Sequence, residues 1–452
     1  MITQLYTIAR NTFIESVRQP IVFILILIAA LAQVLNTWNT AYSMDNDVTG
    51  PITGDNKLLF DFSLGTVFVL STIMAGFVAT AVISREIENK TVLTIISKPV
   101  GRLTLILGKF IGVTSCVLLS TLGMLVFLML ALRHGVMSTA ADSLDGPVIT
   151  FSLAAIFLSL ALAAWCNFFY GWNFPQTTVV LLVPFLFVAY LLVLLLSRDW
   201  AWQPITHDLP GQILIACLCL ILAVLVLCSV AIAASTRLGQ VATILICVGV
   251  FVLALMSNYL FGRFVFSNTL VGIIRQVDAP DATKASFKES GDTLELTLER
   301  APDVDVAPGD PFYYSPSPNG FPMLPRQAYS RYSGRLDDPN ALLGAGAPSA
   351  LIISAFDGRS MSVRNVGAAP VSIYRAPERG DYIFKSQTSV HPIPLVLWGA
   401  LPNLQFFWLL DAITQIRSIP LSYLGLVAAY SLAQMGAFLS LSVILFQSRD
   451  VG

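Results

Sequence analysis

The sequence predicts an α-helical polytopic membrane protein of about eight transmembrane helices, with an extracytoplasmic β-rich domain inserted before the last of them. Three observations predict this. Of the 452 residues, 56% are hydrophobic and 12% charged, whereas an average soluble chain carries roughly 25% charged residues. So much apolar surface exceeds what a soluble core can hide, so lipid must solvate much of it. Apolar runs near the length needed to cross a bilayer, about 20 residues at 1.5 Å rise, recur eight times. Between about 264 and 396 they stop, and about half of all charges in the chain gather there with many prolines and glycines.

From Ile2 to Val17, the residues Leu5, Ile8, Ala9, Phe13 and Val17 fall at helical spacing, with Arg10, Glu15 and Arg18 on the other side. This pattern suits a helix lying in the membrane interface or a plain cytoplasmic helix. Polar residues run up to Pro20, and the apolar stretch after it is too long for a cleaved signal core, so it reads as a first span. The spans are expected near 20–40, 64–84, 103–132, 148–170, 177–197, 211–235, 239–262 and 421–446, with a possible re-entrant segment within 148–235.

Orientation follows from the loops. Arg85, Lys90, Lys98, Arg102 and Lys109 crowd the stretch 85–109, which the positive-inside rule places in the cytoplasm. Counting from there puts both termini inside, with Arg10, Arg18, Arg237 and Arg449 on the same side, in the cytoplasmic (inner) membrane. Three parts result: 1–263 with the first helix and seven spans, 264–396 outside the cytoplasm, and 397–452 with an interfacial helix and the final span.

In the polar part, Thr293–Leu298 alternates polar and apolar residues as a half-buried strand does. Leu351–Phe356, Met361–Val366, Val371–Tyr374 and Tyr382–Phe384 are further strand candidates, separated by Asp357-Gly358, Gly367 and Pro377. The stretch Pro302–Pro348 reads as a loop. Residues 401–425 place Leu404, Phe407, Trp408, Leu410 and Ile413 against Asn403, Gln405, Asp411 and Arg417, which suggests an amphipathic helix at the outer interface with Trp408 at headgroup depth.

Catalytic chemistry finds little support. His134, His207 and His391 are far apart and lack partners at metal-ligand spacing. Neither a GxSxG elbow nor an HExxH pair occurs. From Gly101 to Lys109 the chain superficially resembles a phosphate loop, but six residues separate Gly101 and Gly108, and Phe110 stands where a hydroxyl would hold magnesium. All six cysteines lie in apolar stretches and read as small buried hydrophobes. A net charge of -1 argues against a nucleic-acid partner.

The connector 84–109 is the most informative stretch. Ser84 can cap a helix whose first turn carries Glu86 and Glu88. Glu86 and Lys90 are an i, i+4 pair; Ile87, Thr91 and Ile95 form an apolar stripe; Pro99 ends the helix. Such a helix suits docking into a groove on a partner, or equally resting on the membrane surface.

A helix, two spans and then Arg85, Glu86, Glu88, Thr91, Ser97, Lys98, Pro99, Arg102, Gly108 and Lys109 in this order resembles the ABC type-2 transporter permease family. Three further stretches resemble it: Leu401-Pro402-Asn403 through Trp408, Ile419 through Tyr423, and Leu445 through Val451, with Ala234 through Arg237 leading into another span. The resemblance covers about 1–133, 211–262 and 397–452. It implies a non-catalytic membrane subunit of an exporter, driven by a separate ABC ATPase that binds ATP and Mg. A second permease copy or a related permease, and membrane lipid, would be the other partners. It also implies that residues 85–97 form the coupling helix, with Arg85, Glu86, Glu88, Lys90, Thr91, Ser97, Lys98, Pro99 and Arg102 at the ATPase contact.

Two departures stand out. The family's half-transporter usually has six spans, which assigns the extra pair to 148–210, and it usually has a short loop where this chain carries its β-rich insert. Alternative readings are a machine that acts on an extracytoplasmic partner through the β domain, and a membrane anchor or sensor without an ATPase.

Overall fold

The computed structural model describes residues 2–40, 55–84, 101–137, 144–209, 211–279, 287, 291–326, 331–332, 351–366, 375–414 and 419–447. The chain divides into two compact units, 1–255 with 402–452, and 256–401.

The first unit is helical: α1 (Ile2–Val17), α2 (Pro20–Asn39), α3 (Asp55–Val82), α4 (Arg102–His134), α5 (Gly146–Tyr170), α6 (Phe174–Leu194), α7 (Gly211–Ser235) and α8 (Gln240–Leu255). Seven described helices of the chain are long and apolar enough to cross a membrane, or eight if α8 and the short stretch Asn258–Val265 form one broken span. The expected helical membrane protein is thus present, and α5, α6 and α7 each have the length of a span. Two boundaries differ. α3 starts at Asp55, nine residues before the expected 64, because Asp55, Lys57 and Asp61 continue the helix beyond its apolar part. The span expected over 239–262 is interrupted after Leu255.

Local chemistry explains the joints. Pro20, Pro147 and Pro175 open α2, α5 and α6 in the first turn, where a missing N–H costs nothing. Asp145 and Asn173 cap α5 and α6 by accepting from the backbone N–H groups of Val148 and Gln176 at 3.1 Å. Gly171, at φ +67°, ends α5 in the left-handed conformation that glycine adopts freely.

The core lies where α3, α4 and α7 meet, around Phe60, Val67, Met74, Val113, Cys116, Met124, Leu220 and Leu227. α5 sits at the periphery, with Ala155, Ser159 and Ala163 buried and Phe157, Trp165 and Phe168 exposed. Cys116, Cys217, Cys219, Cys228 and Cys247 are buried, Cys166 is half-buried, and all six are unbridged.

The unit closes with a 3-10 turn (Leu404–Phe406), α10 (Leu410–Thr414) and α11 (Leu421–Gln447). The amphipathic helix expected over 401–425 is therefore broken in its described part. Leu404, Phe407, Leu410 and Ile413 are all buried in the helix core. Trp408 stacks on Phe68 of α3, centroids 6.3 Å apart.

In the second unit, six strands form an antiparallel sheet in the order β4-β7-β2-β3-β6-β5: β2 (Leu270–Asp278), β3 (Thr293–Leu298), β4 (Tyr313–Ser315), β5 (Leu351–Asp357), β6 (Ser360–Asn365) and β7 (Tyr382–Phe384). β3 turns Leu294, Leu296 and Leu298 inward, as its alternation predicts. They meet Ile274, Phe312, Tyr314, Ile353, Met361 and Val363 in a separate apolar core. Gly358, at φ +57°, occupies the first central position of the two-residue β5–β6 turn, where a positive φ is required. The loop expected over 302–348 contains a strand in its described part: β4 carries Tyr313 and Tyr314, both buried, and Phe312 stacks on Tyr314. The candidate strand 371–374 lies outside the described residues.

The chain enters and leaves this sheet side by side. β1 (Phe266–Ser267) pairs with β8 (Ser389–Val390), with Phe266 opposite Val390 and Ser267 opposite Ser389. The next residues form α9 (Pro392–Ala400), where Trp398 Nε1 donates to Asn258 Oδ1 at 3.0 Å.

Candidate functional site at the helix ends flanking residues 85–100

Hydrogen bonds sort the helix ends of the first unit into two sets. At one end, Ser84 Oγ donates to Leu238 O (3.0 Å), Arg237 Nε to Leu445 O (2.9 Å), Arg102 Nη1 to Gln447 O (3.3 Å) and Arg18 Nε to Gln176 Oε1 (2.9 Å). This gathers the C-terminal ends of α3, α7 and α11 with the N-terminal ends of α4 and α6. At the other end, Met137 N donates to Thr37 O (3.1 Å), Val136 N to Asn56 Oδ1 (3.1 Å) and Ile419 N to Gln212 Oε1 (3.0 Å). Consecutive spans α2 to α7 therefore alternate in direction. α1 and the C-terminal end of α11 share the end that holds Ser84 and Arg102.

The first end is a clamp built on cations. The last carbonyls of a helix lack partners within it and carry partial negative charge. Arg102 and Arg237 satisfy two such carbonyls of α11. Lys109, buried at 3% exposure, extends Nζ to within 3.2 Å of Val82 O, the last residue of α3. Both strands of chain leading into residues 85–100 are thereby held, α3 through Val82 and Ser84, α4 through Arg102 and Lys109.

α1 is locked onto the same place. A Cβ built on Gly112 would stand 2.5 Å from Thr12 Cβ and 2.6 Å from Ala9 O, and one on Gly108 would stand 2.7 Å from Ile8 Cγ2. Gly108 and Gly112 sit one turn apart on α4, and Ala9, Thr12 and Ser16 make the small buried face of α1 that fits against them. This is the close backbone approach that small-xxx-small spacing permits in a membrane. α1 is therefore packed on α4 along this face.

Of the residues expected at the ATPase contact, Arg102 is the one described, and it binds the end of α11. Arg85, Glu86, Glu88, Lys90, Thr91, Ser97, Lys98 and Pro99, and the helix expected over 85–97, lie outside the described residues. The Gly108–Gly112 contact and the Arg237 clamp were missed from sequence. The spacing of the two glycines was a readable signal; the partner of Arg237 is 208 residues away along the chain.

The other end of α4 carries an ion network. Arg133 lies 31 residues from Arg102, roughly 45 Å along the axis. It pairs with the fully buried Asp145 at 2.8 Å and with Asp208 at 3.0 Å, while Arg198 lies 3.6 Å from Asp145. Arg198 also donates to His134 O. Burial pushes the Asp208 carboxyl up, but hydrogen bonds from Gln203 and His207 and the charge of Arg133 outweigh it, so it lies below its ordinary value. Asp145 thus caps α5, binds α4 and holds the loop after α6 at once. Among the described residues no group of three or more His, Cys, Asp or Glu is placed to hold a metal ion.

Neither the curated proteins nor the solved structures contain a match to this chain. The family described as ABC-2 family transporter protein matches residues 6–166. The matched stretch runs from α1 through α4 into α5, and so includes the glycine lock, the Lys109 clamp and the 85–100 connector. That family goes in general with an ABC ATPase partner. Residues 6–166 are thus similar to the ABC-2 transporter family, and the chain that carries them is a multi-pass membrane protein.

Proposed function

We propose that this permease is the membrane subunit of an ABC exporter in the cytoplasmic membrane, with residues 85–97 as its coupling helix on a separate ATPase. The observation that carries the proposal is the clamped end of the bundle. Residues 85–100 leave and re-enter between Ser84 and Arg102, both anchored to neighbouring helix ends. A segment held at both roots by rigid helices passes a push from outside into α3 and α4 as rigid-body movement. The arginines and lysines at this end, Arg18, Lys109, Arg102 and Arg237, support its placement in the cytoplasm, with both termini there and the β-rich unit on the other side. Closure of the ATPase dimer around ATP would then tilt α3 and α4 together and change the path between two permease copies, or between this chain and a related one.

The experiment is a pull-down of the ATPase with the full chain extracted in mild detergent. Reversing Glu86 and Glu88 to Lys is expected to weaken the complex and its ATPase stimulation. Unchanged assembly and stimulation in the double reversal would remove the coupling assignment.

A second reading is favoured by one feature: the sheet of residues 266–390 has an apolar core of its own and joins the chain through a paired two-strand neck. Such a unit suits a machine in which ATP energy acts on an extracytoplasmic partner. Loss of the activity on deletion of the sheet, with ATPase assembly intact, would favour that reading over export with an accessory domain.

A further inference from the structure

The polar unit has an apolar base. Residues 256–270 and 389–401, where the chain enters and leaves the sheet, contain Arg263 as their single Asp, Glu, Lys or Arg, whereas the sheet between them holds about half of the charges in the chain. α9 is the extreme case. Its nine residues, PIPLVLWGA, offer one polar side-chain group, the indole N–H of Trp398, and none of the nine is buried. Ile393 is 74% and Val396 69% exposed, and Leu395 and Leu397 are exposed as well. At 3.6 residues per turn these four point to different sides of the helix and not along one face.

Aromatic contacts join the rest of the base to α9. Trp398, whose indole N–H donates to Asn258, leaves a Cβ on Gly262 only 3.3 Å from its Nε1. The same ring meets Phe266 edge-on, centroids 6.3 Å apart, and Phe266 stacks at 5.9 Å on the exposed Phe321. Tyr259 and Phe264 are exposed too, and the Arg263 guanidinium lies 4.4 Å over one ring and 4.5 Å over the other. Among the described residues no carboxylate pairs with Arg263.

Shape and place say what covers this base. A docked protein covers one face of a helix, and the face left to water is polar; a helix apolar on every side fits hydrocarbon on every side. Met256 follows directly on Leu255, the end of α8, and Leu401 alone separates α9 from Pro402, where the chain rejoins the helical unit. Nine residues rise about 14 Å, close to half of a hydrocarbon core of roughly 30 Å, so α9 is too short to cross and long enough for one leaflet. Tyrosine, tryptophan and arginine are the side chains that keep an apolar body in lipid and a polar tip at headgroup depth.

We propose that the base of the β-rich unit, α9 with Tyr259, Phe264 and Phe321, is immersed in the leaflet where α8 ends, with Arg263 at its headgroup rim. The partner is the lipid surface itself, and the sheet works against the bilayer instead of on a free stalk. The proposal needs α8 to end at a membrane surface and stands whether or not residues 85–97 engage an ATPase.

The test uses the full chain in phospholipid nanodiscs, on a Cys166→Ala background because the other five native cysteines are buried. Ile393→Cys, Leu395→Cys, Val396→Cys and Leu397→Cys each carry a nitroxide, and Arg359→Cys in the exposed β5–β6 turn is the control. Power saturation compares collisions with oxygen, which concentrates in hydrocarbon, and with a water-soluble nickel chelate. All four positions are expected to show an oxygen-to-nickel ratio severalfold above the control, and Arg263→Cys a ratio between the two. Nickel access like the control's at any of the four overturns the proposal, because it leaves that side of α9 in water. Shielding from both reagents at any of them also overturns it, because it puts a second copy or another protein there. Where one labelled variant does not fold, the other three decide.

Discussion

Gly112 of α4 lies so close beneath Thr12 of α1 that any side chain on it would overlap: a Cβ there would be 2.5 Å from Thr12 Cβ. The contact makes α1 part of the bundle that carries the 85–100 connector, and several consequences can be measured.

Gly112→Val should separate α1 from α4 or strain both helices, at a cost of about 1–3 kcal/mol. Thermal unfolding of the purified protein in detergent is the readout, with Gly249→Val as the control, because a Cβ at Gly249 meets nothing within 4 Å. Equal stability of the two variants would mean that α1 is not seated as described.

Lys109→Met keeps the length of the side chain but removes the cation from the last carbonyl of α3. The cost expected is about 1–3 kcal/mol, the range for a buried polar group that loses its partner. ATPase stimulation should fall as well, because Val82 is two residues before Ser84, where the connector leaves. Limited proteolysis at residues 85–100 would report the loosened root directly.

How much of this was legible beforehand depends on the kind of force involved. The spans were readable because crossing a bilayer demands about 20 apolar residues in a row, β3 because alternation marks a half-buried strand, and β5, β6 and β7 because turn residues such as Asp357-Gly358 and Pro377 set off short runs. β4 was not readable: the four residues between Pro311 and Pro316 are too few to show a period, and Tyr313 and Tyr314 become core residues only when β7 pairs with them. The helix expected over 401–425 failed for a related reason. Its apolar residues were assigned to a membrane surface, but Leu404, Phe407 and Ile413 pack into the helix bundle, which rewards burial over helical continuity. Arg133, Asp145 and Asp208 were visible as charges beside apolar runs, but their pairing needs the fold.

Asp145→Ala should be among the most damaging substitutions in the first unit. It removes the cap of α5 and leaves Arg133, whose side chain is 14% exposed, without its closest carboxylate. Breaking a buried pair from one side costs about 3–5 kcal/mol. Arg198→Ala, at the exposed rim of the network, should cost under 1 kcal/mol. Thermal unfolding of both variants checks the ranking.

The same network should respond to acid. Because the Asp208 carboxyl is held below its ordinary value of 3.8, it contributes stability above that value, and this contribution is lost as pH falls through the still lower folded value. Fluorescence of Trp200 and Trp202, which flank this loop, should therefore change below about pH 4 in the native chain. In Asp208→Asn the acid-sensitive part of the change should be absent.

The pairing of Ser267 with Ser389 also says how this protein can be taken apart. Cα atoms facing each other across an antiparallel ladder are about 4.5–5.5 Å apart, a gap that a two-residue hairpin turn closes. Replacing 268–388 with Asn-Gly therefore joins two ends that are already neighbours and asks no helix to move. What is left would be a trimmed helical unit, in which ATPase binding can be measured free of the sheet. The excised piece, with an apolar core and its ends side by side, can serve as bait in a search for partners.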